Sequence, residues 1–391
     1  METLRYSDFS LNLHQRLGGQ RIPISGAIEV TRRCPLKCVH CYNHLPMGDQ
    51  EARRNELSYE EHCRILDEIT EAGCLWLLYT GGEIFARKDF LGIYTYAKKK
   101  GFLITLFTNG IFVTPEIADY LSAWRPFAIE ITLYGRTQET YEQVTGVPGS
   151  YDLCMRGIRL LKKRGLPLKL KTMAITYNKH EIWDMKRFAE EDLGLEFKFD
   201  ATINPCIDCS QNPLSVRLSP QEIVELDLKD PKRVKEWKKF CDRFNGPVHP
   251  ADHFDELYHC GGGIQSFAID PYGKLSICVL SRDGYDLRGG SFREGWESFI
   301  LNQREKKITR QTRCLPCEIK AMCGICPANA ELENHDAEEP VDFLCQVAHL
   351  RAKALGINVK PHGECEYCDS DQRSAISCQQ IAIRGQRTEN S

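Results

Sequence analysis

Cys34-Pro-Leu-Lys-Cys38-Val-His-Cys41 follows directly on a short apolar run at 27–31, and this juxtaposition decides the reading of the chain. The run reads as a strand. If it belongs to a parallel sheet, its C-terminal end opens on the face where such sheets bind ligands, and the cysteine loop lies there. Three thiolates on one short loop can ligate three irons of a cubane and leave the fourth open to a small molecule's amino and carboxylate groups. A zinc knuckle is the other reading; it needs a fourth protein ligand, which His40 or His44 could supply.

Outward from the loop, strand-like runs recur at 75–80, 103–108, 127–133, 168–175 and 195–199. Helix-like stretches at 58–72, 89–100, 115–124, 151–164 and 179–193 separate them. Ser58 with Glu61 three residues on forms a capping box, and Thr114-Pro115 is a cap followed by a first-turn proline. Alternating strand and helix predicts parallel strands with right-handed crossovers. Six units over residues 26–200 make an α/β partial barrel. Its strand ends carry Thr80-Gly81-Gly82-Glu83, Thr108-Asn109-Gly110 and Glu130-Ile-Thr132-Leu-Tyr-Gly135. The glycine pair would let backbone approach a ligand, and Glu83 would offer a carboxylate to an ammonium group.

Nineteen cysteines in 391 residues argue for metal ligation over disulfides, because no basic segment followed by an apolar one marks the N-terminus for secretion. A cytoplasmic setting is expected. The densest apolar stretch, at 74–79, is far short of the ~18 residues that span a bilayer. A net charge of −3 gives no reason to expect nucleic acid or a membrane as partner.

Residues 201–259, with prolines 205, 213, 220, 231, 247 and 250, read as a connecting region containing a charged helix at 231–240. A cysteine-dense region follows at 260–355. Between Cys260 and Cys278, the turn Asp270-Pro-Tyr-Gly273 flanked by apolar alternation predicts a β-hairpin. Then come Cys314-Leu-Pro-Cys317, Cys323-Gly-Ile-Cys326 and Cys345. Structural zinc is the plain reading of such C-x2-C pairs. Residues 1–25 read as an extension and 356–391 as a flexible tail. Among the other cysteines, Cys63, Cys74 and Cys154 are expected in the core, and Cys241 carries no assignment. Cys206 and Cys209 could reach the active-site mouth. Cys365, Cys368 and Cys378 in the tail could bind metal or serve in redox chemistry.

In this order the C-x3-C-x2-C loop and the Gly-Gly-Glu segment resemble the radical S-adenosylmethionine (SAM) superfamily. The resemblance implies a partial (β/α)6 barrel and a [4Fe–4S] cluster on Cys34, Cys38 and Cys41 whose open iron chelates SAM. It implies that Gly81, Gly82 and Glu83 bind the SAM amino group and Thr132 its ribose or carboxylate. Asn109 joins them at the third strand's end, and His40 stands where the family usually places an aromatic residue beside the adenine. Reductive cleavage of SAM would then yield a radical that abstracts a hydrogen atom.

The second array is similar to the SPASM domain, with x2 in place of x3 between Cys323 and Cys326. That likeness implies two auxiliary clusters, one on Cys260, Cys278 and Cys326, the other on Cys314, Cys317, Cys323 and Cys345. It points to maturation of a ribosomally made peptide or a protein, with an external electron donor such as flavodoxin or ferredoxin. A separate leader-binding protein is expected because few residues precede the barrel. A small-molecule or sulfatase-type substrate is the alternative, and a zinc scaffold the non-enzymatic one.

Overall fold

The computed structural model describes residues 5–244, 255–324, 326–362 and 365–368. Six strands run parallel in chain order: β1 Ser25–Glu29, β2 Trp76–Thr80, β3 Leu103–Thr108, β4 Ala128–Thr132, β5 Leu168–Met173 and β6 Phe197–Asp200. Their pairing order follows the chain, as consecutive right-handed crossovers require. Burial alternates with the strand period: Ile104, Leu106 and Thr108 of β3 are buried, while Leu103, Thr105 and Phe107 on the other face are half-buried. The connecting helices Tyr59–Glu71, Phe90–Lys99, Pro115–Ala123 and Ser150–Lys163 form where the apolar periodicity predicts them. Both sides of the Ser58–Glu61 capping box are made. The last predicted helix is broken into a 3-10 turn, Ile182–Arg187 and a π-turn at Phe188–Asp192.

Helix Gln138–Thr145 was not legible in the sequence. It buries only Thr140, Tyr141, Val144 and Thr145, too short a stripe to give a clear period. Thr137 caps it, and the Glu181 carboxylate holds that cap by accepting from the Thr137 and Thr140 hydroxyls.

The predicted hairpin is present as β7 Ser266–Ile269 and β8 Lys274–Ser276, followed by β9 Tyr285–Asp286. Asp270 Oδ1 accepts from Tyr272 N and Lys274 N at 2.9 Å, and Gly273 takes φ +90° to close the turn. The hairpin's position corrects the expected domain boundary. β7 pairs in parallel with β1, Ser25 opposite Ser266 and Ile28 opposite Ile269, so the sheet runs β9-β8-β7-β1-β2-β3-β4-β5-β6. Glu256–Lys307 therefore group with the described residues up to Arg217, not with a separate domain starting at 260. Backbone hydrogen bonds to β1 decide this, and no spacing in the sequence reports them.

The second unit comprises the described residues of Leu218 to Asp255 and those from Ile308 onward. Its helices include Pro220–Lys229, Pro231–Phe244, Pro327–Asn334 and Asp342–Ala354. Cys241, Cys317, Ile319, Met322, Ala348 and Ala352 form a buried cluster. Asp227 accepts from Arg233 at 2.6 Å and from Arg351 at 2.8 Å, so two guanidinium groups neutralise one buried carboxylate. Part of the expected flexible tail is ordered: Cys365 is buried, and Tyr367 hydroxyl accepts from Gln346 at 3.2 Å. Cys378 lies outside the described residues. Among the described residues, no helix is long and apolar enough to cross a membrane.

Candidate active site

The cysteine loop leaves β1 and is pinned at both ends. Arg33–Cys34 pairs in parallel with Leu45–Pro46, closing the loop at its base. At its tip, Lys37 N and Val39 N donate to the Thr145 and Val144 carbonyls at 2.8 and 3.1 Å. Buried Arg33 binds Glu56 in a two-pronged pair, both N–O distances 2.8 Å, and Thr31 hydroxyl donates to the same carboxylate. The anchor next to Cys34 is therefore an ion pair removed from water.

Burial raises all three thiols: Cys34 to about 12, with the Glu83 carboxylate adding to it, Cys41 to about 11, and Cys38 well above its usual value. Without metal they are protonated, so ligation must release protons. Among the described residues, the one group of three or more His, Cys, Asp or Glu ligand atoms lying within 4.8 Å of one another is in the second unit. That group includes none of the loop thiols, and separate irons of a cubane need separate thiols. His40 is buried, its pKa lowered to about 4 by desolvation, and its Nδ1 has no hydrogen-bond partner. A neutral ring with an open nitrogen, edge-on to Tyr134 at 5.0 Å, fits a neighbour of a bound group.

The Gly81-Gly82 pair has a different reason from the one expected. A Cβ on Gly81 would meet Thr31 O at 2.2 Å, and one on Gly82 would meet Arg33 O at 2.5 Å. The glycines let β2 close on the chain's own backbone at the root of the cysteine loop; Gly81 also has φ +128°.

Glu83 likewise needs correction. Its side chain is wholly buried and accepts from Thr108 Oγ1 at 2.7 Å, Asn109 N at 2.8 Å and Phe85 N at 3.1 Å. The carboxylate is already satisfied by protein donors, so it does not face an open ammonium position. It shapes the 108–110 turn, and Asn109 Nδ2 then lies 3.5 Å from Cys34 Sγ.

Burial pushes the Glu83 pKa up to about 7 although its donors pull it down. The folded state therefore binds more protons than the unfolded state between about pH 4.5 and 7, and the Glu83 contribution to stability falls by roughly 3 kcal/mol as pH rises through that window. Glu83→Gln should flatten this slope. It should also destabilise by about 1–3 kcal/mol, since an NH2 group must face a backbone N–H. Unfolding midpoints of both proteins at pH 5, 6, 7 and 8 test this, and parallel profiles would refute it.

Other groups gather at the same mouth without a sequence signal. Glu29, at the end of β1, accepts from Tyr42 hydroxyl at 2.8 Å and Asn43 Nδ2 at 2.6 Å, ordering the residues after Cys41. Together with Arg32, Asp270, Lys274, Arg282 and Asp283 it lines a cavity of about 160 Å³. Cys206 reaches the loop as expected, its thiol 3.6 Å from Cys41 O. Half-buried Thr132 ends β4 opposite Lys171 of β5. Lys171 Nζ is 3.3 Å from Glu130, and desolvation lowers its pKa to about 8. The charged alternation Lys169-Leu-Lys171 in a strand was the available clue to this pair.

In the first unit, Cys260 is exposed, and its Sγ lies 3.3 Å from the Cβ position of Gly262, which also meets Ile277 O at 2.9 Å; Cys278 follows at once. In the second unit, Cys314 and Cys323 donate to the Cys345 sulfur, and Cys317 lies within their field. The spaced cysteines 314, 317, 323 and 345 are thus one group. Cys326 begins helix Pro327–Asn334 in that unit. All eighteen described cysteines are free of disulfides.

Residues 28–189 match the Radical SAM superfamily, so the chain carries a radical SAM domain and is an enzyme with the [4Fe–4S] cluster and SAM chemistry of that superfamily. It is 26% identical over 340 residues to the AdoMet-dependent heme synthase of Methanosarcina barkeri, covering 80% of this chain and 94% of that protein. It is 25% identical over 319 residues to the antilisterial bacteriocin subtilosin biosynthesis protein AlbA of Bacillus subtilis, covering 78% of this chain and 67% of AlbA. Its fold is similar to Streptococcus suis SuiB bound to precursor peptide SuiA, with TM-score 0.66 and 16% identity over 88% of this chain and 82% of SuiB.

Proposed function

We propose that this enzyme takes a hydrogen atom from a peptide or protein substrate, maturing a ribosomally made peptide. The observation that carries this reading is the second set of thiols, Cys314, Cys317, Cys323 and Cys345, gathered in a unit of its own. Enzymes that only start a radical need one cluster; a further site for an electron or a substrate suits oxidative peptide chemistry. The likenesses to AlbA and SuiB support it.

In this reading Cys34, Cys38 and Cys41 hold the catalytic cluster. What the cluster and SAM supply when bound is a 5′-deoxyadenosyl radical able to attack an unactivated C–H bond. The protein's part is placement. Backbone at Gly81 and Gly82, the Asn109 amide, Thr132 and His40 surround the SAM position, and Glu83 holds the Asn109 turn in place. Glu29 and Arg32 line the cavity that admits substrate, and burial of the thiols keeps water from the reacting centre. Cys314, Cys317, Cys323 and Cys345 serve one auxiliary cluster, and Cys260 and Cys278 belong to the other set that the SPASM likeness implies. An external donor such as flavodoxin or ferredoxin supplies the electron, and a separate protein grips the leader peptide. So many free thiols suit a reducing cytoplasm.

A second reading, action on a haem-type tetrapyrrole, is favoured by the near full-length match to a heme synthase and by Lys171 and Lys198, which could take carboxylates. Anaerobic turnover with SAM and reductant separates the two. Under the first reading, a candidate peptide loses hydrogen, gains a crosslink and accelerates release of 5′-deoxyadenosine at least tenfold. Modification of a haem-type tetrapyrrole with peptides inert would overturn it.

A further inference from the structure

The tail motif Cys365-Glu-Tyr-Cys368 meets two histidines that no spacing rule connects to it. His349 stands in the middle of helix Asp342–Ala354, and His362 precedes the motif. One ligand atom from each of the four residues lies within 4.8 Å of all the others. His349 Nε2 is 3.3 Å from Cys368 Sγ and 3.7 Å from Cys365 Sγ. His362 Nδ1 is 3.2 Å from Cys368 Sγ. A single tetrahedral zinc with Zn–N of 2.0–2.1 Å and Zn–S of 2.3 Å spaces its ligands about 3.3–3.8 Å apart. The observed separations fall in or just below that range. A cubane would spread the same side chains over separate irons.

The surroundings agree. His349 Nδ1 is 2.8 Å from the Cys345 carbonyl; donating there fixes the tautomer and leaves Nε2 with its lone pair toward the sulfurs. His362 and Cys365 are buried. Tyr367 is held by Gln346 and lies 5.6 Å from the Arg313 guanidinium, which fastens the motif beside the helix. Two thiolates and two imidazoles in tetrahedral reach are a zinc donor set.

We infer that His349, His362, Cys365 and Cys368 form a mononuclear zinc site beside Cys314, Cys317, Cys323 and Cys345, with which His349, His362 and Cys365 line one small cavity. It ties His362 and the Cys365–Cys368 motif to the helix that carries Cys345. Through the His349–Cys345 carbonyl hydrogen bond, it also steadies the backbone at that cluster ligand. The site is structural, with four protein ligands and no open position.

The test is metal analysis of the full chain, purified with zinc in the medium and then loaded with iron and sulfide. Wild type should carry about one zinc per chain beside its iron. The Cys365→Ser/Cys368→Ser double variant should lose at least tenfold of that zinc and keep its iron and sulfide. Zinc X-ray absorption on wild type should give two sulfur neighbours at about 2.3 Å and two nitrogens at about 2.0–2.1 Å, a result that does not depend on the variant folding. Wild type without zinc, a zinc shell of four sulfurs or of oxygens, or loss of about four irons in the double variant would each overturn the proposal.

Discussion

Replacing Cys34, Cys38 and Cys41 together with alanine should remove about four irons per chain and abolish SAM cleavage. The expectation rests on position. These are the three thiols on the loop pinned between β1 and helix Gln138–Thr145, with the Asn109 amide against one of them. No other described cysteine sits on that loop; Cys206 touches it from outside. The variant should stay folded, because neutral buried thiols exchanged for methyl groups lose little packing. Iron, sulfide and 5′-deoxyadenosine measured after anaerobic reconstitution decide the matter, and continued SAM cleavage would sink the assignment. Cys314→Ala/Cys317→Ala provides the contrast. It should also lose about four irons yet keep slow SAM cleavage without substrate, since those thiols lie in the other unit.

The second large effect is on stability. Arg33 and Glu56 are among the most buried ion-paired groups, with side-chain exposures of 7% and 5%. Glu56→Ala leaves the guanidinium in a dry site without its acceptor and should cost about 3–5 kcal/mol. Arg33→Met/Glu56→Leu removes both charges and should recover most of that loss. Urea unfolding of the three proteins, matched in iron content, measures it. A Glu56→Ala midpoint within error of wild type would show that water reaches the pair. Because Arg33 precedes Cys34, the single variant should also load iron poorly while the double variant loads it normally.

The positions of the strands, most helices and the cysteine loop were legible because each rests on local rules. Period-two burial in β3, the Ser58 capping box and three thiols in eight residues all act within one element. Helix Gln138–Thr145 escaped because its buried stripe is short and its cap is held by Glu181, more than forty residues from Thr137 and Thr140. The Gly-Gly-Glu segment is plain in the sequence, but the physical reason for it is not. The glycines answer to the backbone at Thr31 and Arg33, and the carboxylate answers to Thr108 and Asn109.

What the sequence alone determined was the chemistry on offer: which strands end in which side chains, and that the cysteines come in groups suited to metal. What only the tertiary structure decided was company. It set the hairpin against β1, moved Glu83 from ligand to scaffold, and brought His349 to a cysteine pair sixteen and nineteen residues further on. The reason is that hydrogen-bond satisfaction and metal-ligand convergence are set by distances in space. Residues far apart in the chain meet those demands only after the backbone has folded.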